Sequence, residues 1–187
     1  MNHPLQAVPP QKRLRVFLAL LGLFALLTLA LFSGGAPLRT PAAPLGVLTM
    51  EFTGDPERAR AAVESWGPEQ RARAGFDLGL DCLYAVVYST GLALACLWSG
   101  DLLRARRWPL ASAAVPLAWL QWAGGALDGV ENLSILASLE GNYAWAPLAP
   151  LCAIPKFLLI LVGIGYGLLG LTARYAPRLS PSDPREV

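Results

Sequence analysis

The sequence predicts an all-α fold: a four-helix transmembrane bundle with both ends on the cytoplasmic side and a small external cap. Three observations predict it. The 187-residue chain is 55% hydrophobic and only 15% charged, against about 25% charge in an ordinary soluble domain, and its mean hydropathy is +0.46. Its apolar residues gather into four runs close to the roughly 20 residues that cross a hydrocarbon core. Among the termini and short connecting segments, its Lys and Arg residues fall in alternate ones, as the positive-inside rule requires.

The first run covers residues 16–32 and carries no charge. A basic start and the small-residue end Ser33-Gly34-Gly35-Ala36 also fit a cleaved signal peptide. The apolar stretch is longer than the usual 7–15 residues, however, and Pro37 would follow the best cleavage point, so a retained membrane anchor is the expectation.

The first loop, residues 33–76, holds five Arg and five acidic residues, a balance that does not oppose export. Pro, Gly and Ala dominate residues 33–44, the composition of an irregular linker. Leu48-Thr49-Met50-Glu51-Phe52-Thr53 alternates apolar and polar residues, a strand pattern with no partner strand. It is expected to lie extended, with Leu48, Met50 and Phe52 on the bundle or the lipid interface. Asp55-Pro56-Glu57 has the chemistry of a helix start: an N-cap, a first-turn proline and an acid near the positive dipole end. That helix should reach about Trp66 and present Ala59, Ala62, Val63 and Trp66 on one face. Gly67-Pro68 ends it, and a new helix from Pro68 should run unbroken into the second span. The loop is too small for a separate domain and reads as a cap over the outer mouth of the bundle.

The remaining spans are residues 78–98, 109–139 and 148–171, followed by a cytoplasmic tail, 172–187. They are helical because lipid leaves backbone polar groups no other partners. Lys12, Arg13 and Arg15 mark the first inner segment, Arg104, Arg106 and Arg107 the second, and Arg174, Arg178 and Arg185 the third. The segment at 140–147 has no basic residue and is assigned outside.

The informative residues are the charges inside the spans. Asp81 lies on the second, Gln121, Asp128, Glu131 and Asn132 on the third, and Lys156 on the fourth. At 1.5 Å per residue, all but Gln121 fall in roughly the outer half of the bilayer. Asp81, Tyr84 and Tyr88 form one helical stripe. Gln121, Gly124, Gly125, Asp128, Glu131 and Asn132 form another, whose glycines would admit a neighbouring helix closely. A charge at mid-membrane costs about 2.5–3.5 kcal/mol, which pairing of Lys156 with Asp128 or Glu131 would offset in part. Two readings follow. In one, Asp81, Tyr84, Tyr88, Asp128, Glu131, Asn132 and Lys156 line an externally accessible ligand pocket. In the other, the same groups are a dry network that fixes helix register.

Other chemistries find little support. His3 is the sole histidine and falls on the opposite side from the cluster, which removes a Ser-His or Cys-His pair there. HExxH is absent, and no cofactor motif is present. Cys82, Cys96 and Cys152 lie in spans without a CxxC pair and read as small packing residues, although Cys82 and Cys152 share a depth that permits a disulfide. The net charge of +2, without basic–aromatic interleaving, argues against nucleic acid. Partners are the lipid bilayer and a small polar, cationic or headgroup ligand, or a membrane protein; oligomeric state is not encoded in any readable pattern. A membrane-embedded enzyme or proton-coupled carrier using the same acids is the alternative.

Glu51-Phe52-Thr53-Gly54, Leu78-Gly79-Leu80-Asp81, Leu127-Asp128-Gly129-Val130-Glu131-Asn132-Leu133 and the solitary Lys156 together resemble a family of small, uncharacterised four-span bacterial membrane proteins, over residues 51–171. The resemblance implies a multi-pass protein of the bacterial inner membrane and carries no activity.

Overall fold

The structure is a computed structural model and describes residues 2–176. Every regular element among them is helical: α1 (Pro10–Gly34), α2 (Leu48–Thr53), α3 (Pro56–Glu64), α4 (Pro68–Ala105), α5 (Ala114–Leu139) and α6 (Leu148–Tyr175), with short 3₁₀ turns between them. Three helical segments are long and apolar enough to cross a membrane: Pro10–Gly34, Pro68–Ala105 and Tyr143–Tyr175. That is the pattern of a membrane protein. The third run expected to span, which begins at residue 109, becomes a turn followed by α5. At 26 residues α5 is about 39 Å long, but its buried Gln121, Asp128, Glu131 and Asn132 interrupt its apolar stretch, and it is not among those three segments. The tail residues 177–187, with Arg178 and Arg185, lie outside the described residues.

Helix α4 is central. It packs against α1, α5 and α6, and α5 also packs against α6, whereas α1 rests on α4 and the turn Ala36–Leu38 and forms no extended contact with α5 or α6. Burial follows: 56% of the most apolar window of α4 is buried, but only 6% of that of α1. Small residues set the close approaches. A Cβ at Gly125 would meet Ser89 Oγ at 2.7 Å, and one at Gly170 would meet Ser99 Oγ at 2.1 Å. The glycine pair of the α5 stripe divides its work accordingly, Gly125 facing α4 and Gly124 facing Leu159 on α6.

Two apolar clusters form the core. At one end of the long helices, which we term the base, Ala93, Cys96, Leu97, Leu103, Ala118 and Tyr166 pack together, and the Tyr166 hydroxyl donates to Leu110 O at 2.8 Å. The basic segments converge there: Arg13 pairs with Asp101, and Arg106 donates to Arg174 O at 3.2 Å. At the other end the first loop folds over α4, α5 and α6. Trp66, Met50, Val63, Leu78 and Ile135 share this second cluster, locked by Trp66 Nε1 donating to Leu38 O at 2.8 Å.

Helix α3 begins as its sequence indicates. Asp55 caps it by accepting from Glu57 N at 3.0 Å, and Ala59, Ala62, Val63 and Trp66 are buried. Helix α4 starts at Pro68 and continues without interruption for 38 residues. The segment expected to be extended is instead the helix α2. Positive φ at Gly46 and Gly54 lets the chain turn sharply on both sides of it, and a strand without a partner leaves its backbone groups unpaired. Helical period separates the alternating triple: Met50 is buried, while Leu48 and Phe52 are about half exposed.

Candidate functional site

Between the two apolar clusters lies a layer of buried polar side chains. Helix α5 contributes Asp128 and Glu131, three residues apart and therefore on one face. Helix α6 brings Lys156 to both: Nζ lies 2.8 Å from Asp128 Oδ1 and 2.8 Å from Glu131 Oε2. From the loop, α2 adds Glu51, whose Oε2 is 3.5 Å from the same Nζ. Lys156, Asp128 and Glu131 are each at most 4% exposed. An ammonium has three protons, and here three carboxylates stand around it.

A second pair adjoins this group. Asn132 Nδ2 donates to Asp81 Oδ2 at 2.8 Å, tying α5 to α4. The tyrosines of the α4 stripe continue the layer toward α1. The Tyr88 hydroxyl donates to Gly124 O at 3.4 Å. Tyr84 stacks on Phe24 with centroids 4.8 Å apart and accepts from Thr28 Oγ1 at 3.3 Å. All seven residues singled out from the sequence thus belong to one layer, in two hydrogen-bonded groups plus the tyrosines. Gln121, from the same α5 stripe, does not join it; it donates to Leu159 O at 2.9 Å, one turn and more toward the base.

The layer lies along the middle of a cavity of about 630 Å³ that extends toward the base past Leu21 and Ile164 and toward the cap past Phe32 and Leu45. Asp81, Asp128, Asn132 and Lys156 line it, as do Tyr84 and Tyr88, and its remaining length runs between α1, α4 and α6 along apolar side chains. Glu131 sits behind Lys156 with Oε1 lacking a hydrogen-bond partner among the described residues.

Glu51 and Asp77 were not among the residues singled out from the sequence, and both line the cavity. Glu51 was hidden by the strand pattern. Read with helical period, it lies on the face of Leu48 and Phe52, an acid between two apolar residues. Burial is the main cause pushing its carboxyl up to about 8, against the pull of Lys156 and with the help of neighbouring Glu131. Asp77 lies one turn before Asp81 on the same stripe and pairs with Arg73 at 3.0 Å.

Among the described residues no set of His, Cys, Asp and Glu is arranged to hold a metal ion; the Lys156 ammonium already occupies the point on which three acids converge. Cys82, Cys96 and Cys152 are free thiols, and Cys82 is exposed rather than buried. His3 is at the base, between Trp119 and Trp122 with centroids 4.7 and 4.5 Å away. No family model, curated protein or solved structure matches the chain, and the chemistry of the layer is therefore read from its own geometry.

Proposed function

We propose that the chain is a four-span protein of the cell membrane, with its base in the cytoplasm and its capped end outside, and that it binds a polar or cationic group at the buried layer without transforming it. The ligand is a small molecule, a lipid head or a side chain of a membrane partner. The observation that carries this reading is the position of the layer. A network serving only helix register should be dry and fully paired, because an unpaired buried charge is costly. This one borders a cavity of about 630 Å³ and sets four carboxylates, Glu51, Asp81, Asp128 and Glu131, against one lysine. Convergence of a few polar groups within a largely apolar concavity is the usual form of a binding site. The basic segments meeting at the base support the orientation.

The test uses Asp81→Cys and Asn132→Cys in a background lacking the three native cysteines. A membrane-impermeant thiol reagent added outside should label both positions within minutes, and a small soluble amine should slow labelling. Absence of labelling at both positions in folded protein would assign the layer to scaffolding.

A further inference from the structure

Resting on that binding reading, we propose that the ligand is a membrane lipid whose head carries a primary ammonium group, and that it enters sideways between α1 and α6. The cavity has two characters. At the layer it is polar, with Asp81, Asp128 and Lys156, whereas its length toward the base is apolar, with Leu21, Phe24, Ile160 and Ile164 among its walls. A small hydrophilic ligand would use only the first part. An amphiphile uses both: its chain exchanges one apolar surrounding for another at little cost, and its head meets the polar groups.

The route follows from packing. Helix α1 leans on α4 alone and makes no extended contact with α6, so the cavity lies open along the seam between α1 and α6. Leu21 on one side of that seam is 46% exposed and Ile164 on the other 44%; both also line the cavity. These are lipid-facing positions, and a chain lying in the bilayer reaches the cavity without crossing water.

The head is selected by charge and by donors. Lys156 is surrounded by Glu51, Asp128 and Glu131. Asp81 has the Asn132 amide on Oδ2 and no cation. Asp128 is 2% exposed and lines the cavity, and its hydrogen bond from Lys156 engages Oδ1 only. A primary ammonium brings a positive charge and three N–H donors to these remaining acceptors. A quaternary ammonium has no N–H to donate, and an anionic head would add to an excess of acid. Arg39 lines the cap side of the same cavity and has no ion pair among the described residues.

The experiment places the full chain in phosphatidylcholine nanodiscs doped with phosphatidylethanolamine or phosphatidylglycerol and reads the lipid retained after mild detergent extraction by native mass spectrometry. Phosphatidylethanolamine should be retained at least tenfold over the other two. Asp81→Asn combined with Asp128→Asn should lower retention at least tenfold. Leu21→Trp and Ile164→Trp fill opposite walls at exposed positions that the fold does not need, and either should lower retention without touching the acids. Equal retention of phosphatidylcholine, or wild-type retention in both tryptophan variants, overturns the proposal. Soluble ethanolamine separates the two readings: if it protects Asn132→Cys, which keeps all the acids, from labelling while no lipid is retained, the polar layer remains a binding site and the lipid inference fails; if neither binds, both fail.

Discussion

Lys156 meets Asp128 and Glu131 at 2.8 Å and Glu51 at 3.5 Å, and removing it leaves three acids facing one another out of water. Deleting one partner of a buried pair costs about 3–5 kcal/mol, and Lys156→Met should lower stability in detergent by an amount of that order. Adding Asp128→Asn or Glu131→Gln should recover at least about 1 kcal/mol, because contacting residues couple; simple additivity in both double variants would contradict the geometry. The pairing was readable from the sequence, since three charges on separate spans at one depth have few partners but each other. Which acid would meet Lys156 was not, because Asp128 and Glu131 share a face and the ammonium has protons for both. Glu51 was not readable either, since its place depends on α2 being a helix.

At the scale of elements, α2 carries a proton-linked contact. The Glu51 carboxyl is pushed up to about 8 from 4.5, so between those values the folded protein holds a proton that the unfolded chain has released. The contribution is fully present below about 4.5 and is lost as pH rises through about 8. The melting temperature should fall across that window, and Glu51→Gln should flatten the dependence; an unchanged slope in the variant would place the titration elsewhere. Helix contacts give a second test. A Cβ on Gly170 would lie 2.7 Å from Ser99 Cα as well as 2.1 Å from Oγ, so Gly170→Ala must push α6 from α4. Overpacking of this kind costs about 1–3 kcal/mol, and Ser99→Gly should restore only part of the lost melting temperature, because the backbone atom stays. Helices α3 and α4 were legible through Asp55, Pro56, Gly67 and Pro68, local signals that act on their own neighbours. The conformation of α2 was not, since Leu48 to Thr53 alternates like a strand and only the turns at Gly46 and Gly54 and the burial of Met50 decide for a helix.

For the molecule as a whole, the proposed topology puts the base in the cytoplasm, on the basic residues of the short connections. A reporter fused after Arg107 should be cytoplasmic and one inserted near Asn142 external; both on one side would leave α5 outside the membrane. Helix α5 is where the distinction is sharpest. Its polar residues are buried against α4 and α6, so its suitability for a bilayer depends on neighbours that shield Gln121, Asp128, Glu131 and Asn132, and composition along its own length does not reveal that shielding. The cavity was likewise beyond the sequence, since it arises from where α1 fails to touch α6.

The one-sided attachment of α1 has a mechanical consequence. It is held along its length by α4 and at its end by the turn Ala36–Leu38, with Arg13 on Asp101 near the base, but its edge toward α6 has no extended protein contact. In the proposed membrane setting that edge would meet acyl chains, and the width of the cavity would be a property shared with the bilayer. Membrane tension and chain order would then act on the proposed site without any residue changing.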